Sequence, residues 1–342
     1  MRQLVRIVAL SFVLSAAARS FAQQPSIVHA QLVSKDASKG LAAELDALKH
    51  EGAPVWVGYS VAVMPGFHQG WSGDTDYLEG ETRAEREERE ASVKDTGVAA
   101  VLLRVDGTGV EKVQVESPER QLDAGGLKFV WLTGVSAEDS VKTLVGLAKE
   151  KDSRRLMNGA VFAISIHKNP VATQALIGLT SAENDLGLRE KAAFWLANQR
   201  GREGFLAIQK LVRADGDAAF REKLTFDLTL TKEPEAIGEL VRMAHEDSAV
   251  KVRKQAQFWM AQKGGKVVAG DLRAMAENDP ESSLRKSAVF AISQLPKEEA
   301  TTQLIQLAQT GKDPAVRKQA VFWLGQSSDP KALDYLTQLL QK

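Results

Sequence analysis

Phenylalanine recurs at one constant spacing through the second half of the chain. The recurring residues are Phe162, Phe194, Phe226, Phe258, Phe290 and Phe322. With 12 phenylalanines among 342 residues, six in one register are not a chance arrangement. A fixed period of roughly 20–50 residues is the signature of a repeat architecture, in which each unit is one supersecondary element.

Other apolar residues keep the same register. In the first unit Leu156, Ala160 and Ile164 have the i, i+4, i+8 spacing of one helix stripe, and Leu176 and Leu179 begin a second helix. Prolines stand at equivalent places between the helices, where a fixed φ ends one helix and opens the next. These are Pro170, Pro234 and Pro330. We therefore predict a mainly α fold, a solenoid of six helix pairs over residues 136–342 with the column of phenylalanines buried inside it.

The residue directly after each phenylalanine alternates between two kinds, which suggests that the true unit is two helix pairs long. The column reads Ala163, Trp195, Asp227, Trp259, Ala291 and Trp323. One interpretation is that an indole of one unit fills the space left by a small residue in the next. The other is an exposed tryptophan ladder that binds peptide or glycan. Trp131, which precedes Trp195 by the same double period, suggests that the register extends back into the preceding segment.

An arginine stands five residues before five of the six phenylalanines. The column consists of Arg189, Arg221, Arg253, Arg285 and Arg317. It could form a basic ridge for an anionic partner, but an aspartate lies near every member. We predict that the arginines bond to acids or carbonyls in the loops between units and so tie successive units together.

The last unit has the pattern of a known repeat. It reads Asp313-Pro314-Ala315-Val316-Arg317, continues through Ala320 to Leu324-Gly325, and turns at Asp329-Pro330. This closely resembles the short HEAT-like repeat named after phycobilisome lyases. The resemblance covers the six units, and it implies a fold in which most members are protein-binding scaffolds and a few are enzymes.

The segments before the repeats differ in character. Residues 1–22 combine Arg2, Arg6, a mostly apolar run and a small residue at Ala22, which predicts a cleavable signal and a periplasmic or secreted bacterial protein. A helical or disordered N-terminus of a cytosolic protein is the alternative. Residues 23–52 are predicted as a linker with a short helix at 41–49. Residues 53–135 are predicted as a small β-rich subdomain with strands at 54–63, 98–105, 110–115 and 128–132.

A loop in that subdomain carries the candidate binding residues. His68, Trp71, Asp74 and Asp76 are expected to be exposed there, where they could bind a ligand or cation. The alternative is an ordinary mobile surface loop.

Composition limits the chemistry further. Cysteine is absent, and the five histidines show no helical metal-ligand spacing. The formal net charge of +0 predicts no nucleic-acid partner, and no later stretch is apolar enough for a transmembrane segment. The sequence thus favours a non-catalytic exported scaffold, without a cofactor, that binds a protein or peptide along the groove of the second helices. The alternative is an enzyme or cofactor-handling accessory, like a bilin lyase or the di-iron deoxyhypusine hydroxylases.

Overall fold

The computed structural model describes residues 24–65, 75–79, 97–150 and 153–341. The chain divides between Ser136 and Ala137 into two compact units. The first unit is rich in strands and the second is helical, so the predicted fold class is confirmed.

The described part of the first unit combines strands with one helix. Its elements are β1 (Ser26–Val28), β2 (Gln31–Asp36), α1 (Leu41–Glu51), β3 (Val55–Ala62), β4 (Thr75–Tyr77), β5 (Val98–Val105), β6 (Val110–Glu116), β7 (Gln121–Asp123) and β8 (Lys128–Thr133). A five-stranded mixed sheet has the order β2-β8-β3-β5-β6, and a three-stranded sheet has the order β1-β7-β4. The strands predicted at 98–105 and 110–115 are present as β5 and β6, which pair antiparallel as a hairpin.

The central strands of the larger sheet, β3, β5 and β8, are largely buried on both faces. Trp56, Leu102 and Phe129 lie on one face and form a cluster with residues of the smaller sheet. On the other face, α1 contacts β5 and buries three leucines. Gly58 is required in β3, because a Cβ there would lie 2.9 Å from the ring of Trp131.

Two sequence predictions for this unit are wrong. Residues 23–52 are more than a linker, since β2 pairs in parallel with β8 along its whole length. All six residues of β2 are exposed, so no alternation of apolar and polar residues marks the strand. Trp131 lies in β8 and stacks on Phe129, so the repeat register does not extend back to it.

The second unit begins with α2 (Ala137–Ala148), in which Leu144 and Leu147 are buried. Over residues 153–341 six helix pairs follow. The first helices are α3 (Arg154–Ile166), α5 (Leu186–Gln199), α7 (Ala218–Leu230), α9 (Val250–Gly264), α11 (Ser282–Ser293) and α13 (Pro314–Gly325). The second helices are α4 (Val171–Leu179), α6 (Gly201–Ala214), α8 (Glu235–Glu246), α10 (Ala269–Asn278), α12 (Lys297–Thr310) and α14 (Pro330–Leu340).

The pairs stack as a two-layer solenoid. Each first helix contacts the first helix of the next unit, as α5 does with α7 and α7 with α9. The second helices form the other layer, for example α4 on α6. The predicted stripes fill the interior, since Leu156, Ala160, Ile164 and Leu176 are fully buried.

The column of phenylalanines does not lie in this interior, so its predicted burial is wrong. Phe226 and Phe322 are 37% and 56% exposed, and the other four rings are half-buried. The reason is helix geometry. Each phenylalanine follows the buried stripe position by two residues, which turns its side chain by about 200°, to the opposite side of the helix.

All five arginines of the column bond to carbonyls of the loop before their own helix, as predicted, and Arg189, Arg221 and Arg285 also reach an aspartate before the next unit. Arg189 donates to the carbonyl of Thr180 and to the carboxylate of Asp215. Arg285 donates to the carbonyl of Asp279 and to the carboxylate of Asp313. These arginines thus tie a loop before their own helix to a loop of the next unit.

Candidate functional site

The predicted loop site is only partly within the described residues. His68, Trp71 and Asp74 lie outside them. Asp76 is described, and it is buried rather than exposed. Its carboxylate accepts hydrogen bonds from Nε and Nη2 of Arg120 at 2.5 and 2.8 Å. Because this carboxylate already pairs with a buried guanidinium, its role is to stabilise the fold.

A row of aromatic rings runs along the first helices, and we call it the aromatic ladder. Its members are Phe162, Phe194, Trp195, Phe226, Phe258, Trp259, Phe290, Phe322 and Trp323. Each indole contacts two phenylalanines. Trp259, for example, lies with its ring centre 4.9 Å from that of Phe226 in the preceding unit and 4.8 Å from that of Phe258 beside it. The ladder therefore joins successive units at the protein surface.

The indoles of the ladder face inward. Trp195, Trp259 and Trp323 are half-buried, and each indole N–H is buried without an acceptor among the described residues. Their column follows the buried stripe by three residues, so it borders the interior. The indoles are therefore packed, as one interpretation of the sequence expected, and do not form an exposed tryptophan ladder. They pack on phenylalanine rings, however, and not in the space left by a small residue of the next unit. The outward surface of the ladder is phenylalanine.

The ladder is interrupted between Phe194 and Phe226, whose rings do not contact each other. A groove of about 370 Å³ lies there, and we call it the central groove. It crosses the first helices α5, α7 and α9 of three successive units. Its lining includes Glu190, Phe194, Glu222, Phe226, Asp227 and Trp259.

Asp227 is the unusual residue of the central groove. It is 4% exposed, and among the described residues no hydrogen bond or ion pair reaches its carboxyl. Burial, with a smaller contribution from the negative charge of Glu190, raises the pKa of Asp227 to about 8. A buried acid without a partner costs free energy, and it is therefore a candidate contact for a ligand.

Asp227 belongs to the alternating column of the sequence but is not among the predicted site residues. The signal was present, because the other five members of that column are alanine or tryptophan. An acid in an otherwise apolar column at the edge of the buried stripe predicts either a paired carboxylate or a binding contact.

The histidines and helices within the described ranges add no second candidate site. His167 is buried, and burial lowers its pKa to about 4. Nowhere in the described ranges do three or more His, Asp or Glu side chains come together as possible ligands of a metal ion. No helix in the described part of the chain has the length and apolar character needed to span a bilayer.

Paired helices stacked in two layers, with arginine–aspartate ties between units, define an α-solenoid. Residues 269–342 match the family model described as HEAT repeats. The helical unit thus has a HEAT-like repeat fold, which the family model covers over its last repeats.

Comparison with curated proteins finds no match. Human deoxyhypusine hydroxylase in complex with glycerol is similar in structure at 17% identity, covering 60% of this chain and 80% of that one, with a TM-score of 0.32. The complex of CpcE and CpcF of phycocyanin lyase from Nostoc sp. PCC7120 is similar at 17% identity over 56% and 76%, with a TM-score of 0.31. The TOG3 domain of Drosophila melanogaster Mini spindles is similar at 16% identity over 56% and 94%, with a TM-score of 0.38.

Proposed function

We propose that this protein is an exported, non-catalytic scaffold that binds a protein or peptide partner on the aromatic ladder. The observation that supports the proposal is the outward row of phenylalanine rings. Phe226 and Phe322 are more than a third exposed, and the other phenylalanines of the row are half-buried. Contiguous apolar surface of this kind marks interaction sites, and aromatic residues are enriched in them.

The proposed surface differs from the one favoured by the sequence, which was the groove of the second helices. The second helices also expose large apolar residues, among them Ile177 and Leu206. These two are single aliphatic side chains on separate helices, α4 and α6, whereas the exposed Leu333, Leu339 and Leu340 lie on the last second helix, α14. Single exposed apolar residues are common on any protein surface and need no partner.

Site-specific cross-linking in cells tests the surface. A photoreactive phenylalanine analogue is placed at Phe290 of the ladder and, as the matched control, at Leu206 on a second helix. We expect a covalent adduct with a partner protein at Phe290 and none at Leu206. Adducts at Leu206 alone would move the site to the second helices. The absence of adducts at both positions would contradict the scaffold function.

Two measurements test the remaining parts of the proposal. Export predicts that the protein isolated from the extracytoplasmic fraction begins at Gln23, which N-terminal sequencing can check. A non-catalytic scaffold predicts that the purified protein contains no stoichiometric iron and no visible chromophore. Bound iron or a chromophore would favour the enzyme or cofactor-handling alternative.

A further inference from the structure

The central groove has a counterpart within the same solenoid that shows what is particular about it. Two units further along the chain, Phe258 and Phe290 stand where Phe194 and Phe226 stand in the groove. Those rings stack, with centres 5.9 Å apart and an interplanar angle of 9°. The counterpart of Asp227 is Ala291, which is buried. The phenylalanine rings of neighbouring units therefore stack where the alternating column carries Ala291, and they are separated by the groove where it carries Asp227.

The charges around the two places are also different. Glu190 and Glu222 line the central groove, and their counterparts two units later are Lys254 and Lys286. The acidic character is thus a property of this one place, while the aromatic frame belongs to the repeat. Electrostatic complementarity then favours a cationic ligand at this place over its counterpart.

The groove also contains basic residues, and their positions matter. Lys191 and Lys223 are part of its lining. The ammonium of Lys191 lies 5.7 Å from the ring centre of Phe194, so this aromatic face already attracts a cation of the chain itself. Glu222 pairs with Lys251 at 3.4 Å. No ion pair with a described basic side chain reaches Asp227, which is the most buried acid of the groove lining.

A cation is the ligand that would satisfy this arrangement. It would pair with the Asp227 carboxylate and reduce the repulsion that Glu190 exerts on it. The faces of Phe194, Phe226 and Trp259 carry the negative part of the aromatic quadrupole, which attracts cations by the same sign rule. Burial keeps Asp227 protonated at neutral pH, and a bound cation would favour its ionised form. A neutral group could hydrogen-bond the protonated carboxyl but would leave the charge of Glu190 without compensation, and an anionic group would be repelled by that charge.

We propose that the central groove binds the ammonium group of a lysine side chain presented by the partner protein. The inference rests on the proposed scaffold function, because it makes this groove the point of specificity on the aromatic ladder. The apolar stem of the lysine would lie along the phenylalanine rings, and its charged end would reach Asp227. The groove volume of about 370 Å³ is sufficient for one such side chain.

The experiment uses two probes, Nα-acetyl-lysine methylamide and its Nε-acetylated counterpart, which is longer by one acetyl group and lacks the charge. Nα-acetyl-norleucine methylamide, an uncharged side chain no larger than lysine, controls for the added size and should also bind more weakly than the charged probe. Binding is followed by nuclear magnetic resonance of the indole N–H signals of the full chain, with the signal of Trp259 assigned through the variant Trp259→Phe. We expect the charged probe to shift the Trp259 signal at millimolar concentration. The acetylated probe should bind at least about tenfold more weakly.

Matched variants show which groups are responsible. Asp227→Ala reproduces the residue found at 291 and should weaken the charged probe about tenfold or more. Glu190→Ala should weaken it less, and Lys254→Ala, at the counterpart of Glu190, should leave it unchanged. Equal binding of the two probes, or unchanged binding by Asp227→Ala, would overturn the inference.

The cross-linking result separates this inference from the scaffold function. If Phe290 forms partner adducts while the charged probe shows no binding, the scaffold stands and the lysine site is wrong. If the charged probe binds through Asp227 but no adduct forms at Phe290, the cation site stands and the protein-binding surface is wrong.

Discussion

Arg221 holds Asp247 through two hydrogen bonds that join successive repeats. Its Nε and Nη2 atoms donate to the two carboxylate oxygens at 2.8 and 2.9 Å, and both side chains are buried. The Nη1 atom donates to the carbonyl of Asp215 at 2.7 Å. One guanidinium therefore connects the loop before α7 with the loop before α9.

Asp247→Asn tests this tie. The amide keeps the shape of the side chain and can still accept the hydrogen bond from the backbone N–H of Ala249. It leaves the buried guanidinium of Arg221 without its counter-charge, so we expect the free energy of unfolding to fall by about 2–4 kcal/mol. The measurement is urea unfolding. Asp313→Asn, whose partner Arg285 is more exposed, is the control and should cost less.

Two phenylalanines on one helix test the position of the core. Phe220 of α7 is fully buried, whereas Phe226, on the opposite side of the same helix, is 37% exposed. We expect Phe220→Ala to lower the free energy of unfolding by about 3–5 kcal/mol. Phe226→Ala should cost less than about 1.5 kcal/mol, because much of its ring remains in water. If urea unfolding showed equal losses of unfolding free energy for the two variants, the column of phenylalanines would have to lie in the interior.

The repeat was predictable because each helix pair must bury the same stripe, so the same kinds of residue return at each turn of the chain. Leu156, Ala160 and Ile164 predicted the buried face correctly. The column of phenylalanines was misplaced because a large apolar side chain at constant spacing was assumed to be core. Phe162 follows Ala160 by two residues, and this spacing alone places its side chain on the side of the helix opposite the buried stripe.

The candidate site was less predictable, for two physical reasons. The opening of the ladder at Phe194 depends on how rings from neighbouring units meet, and no local pattern encodes that distance. Asp76 was expected at the surface because aspartate usually is, but it pairs with Arg120, which is distant in the sequence. Only the exceptional aspartate in the alternating column offered a sequence signal for Asp227.

His167 should make stability depend on pH. Its Nδ1–H donates to the carbonyl of Ala163 at 2.6 Å, and its Nε2 accepts from the hydroxyl of Ser140 at 2.9 Å. Both bonds fit the neutral ring, and burial lowers the pKa from 6.5 to about 4. Below pH 6.5 the unfolded chain binds a proton that the folded chain excludes, so stability falls by about 3 kcal/mol as pH decreases to 4.

Unfolding of His167→Gln between pH 4 and 7 checks this. The variant should show a shallower dependence on pH in that window than the unmodified protein, whatever its stability at pH 7. His245→Gln, at an exposed position, is the matched control and should retain the slope. An unchanged slope in His167→Gln would show that the ring is not held neutral in the fold.

Asp227 should have the opposite dependence on pH. Its pKa is about 8 in the folded chain, mainly through burial, against 3.8 for the unperturbed group. Between these values the folded state keeps the proton and the unfolded state releases it, so the contribution of this group to stability decreases as pH rises from about 4 to 8.

The variant Asp227→Asn tests this, because its side chain cannot ionise. Its stability relative to the unmodified protein should therefore rise across this window, by on the order of 3–5 kcal/mol at pH 8.5. Thermal unfolding of both proteins from pH 5 to 8.5 measures the difference, with Asp334→Asn at an exposed position as the control. A stability difference that does not change with pH would mean that the carboxyl of Asp227 has a partner or contact with water that keeps it ionised.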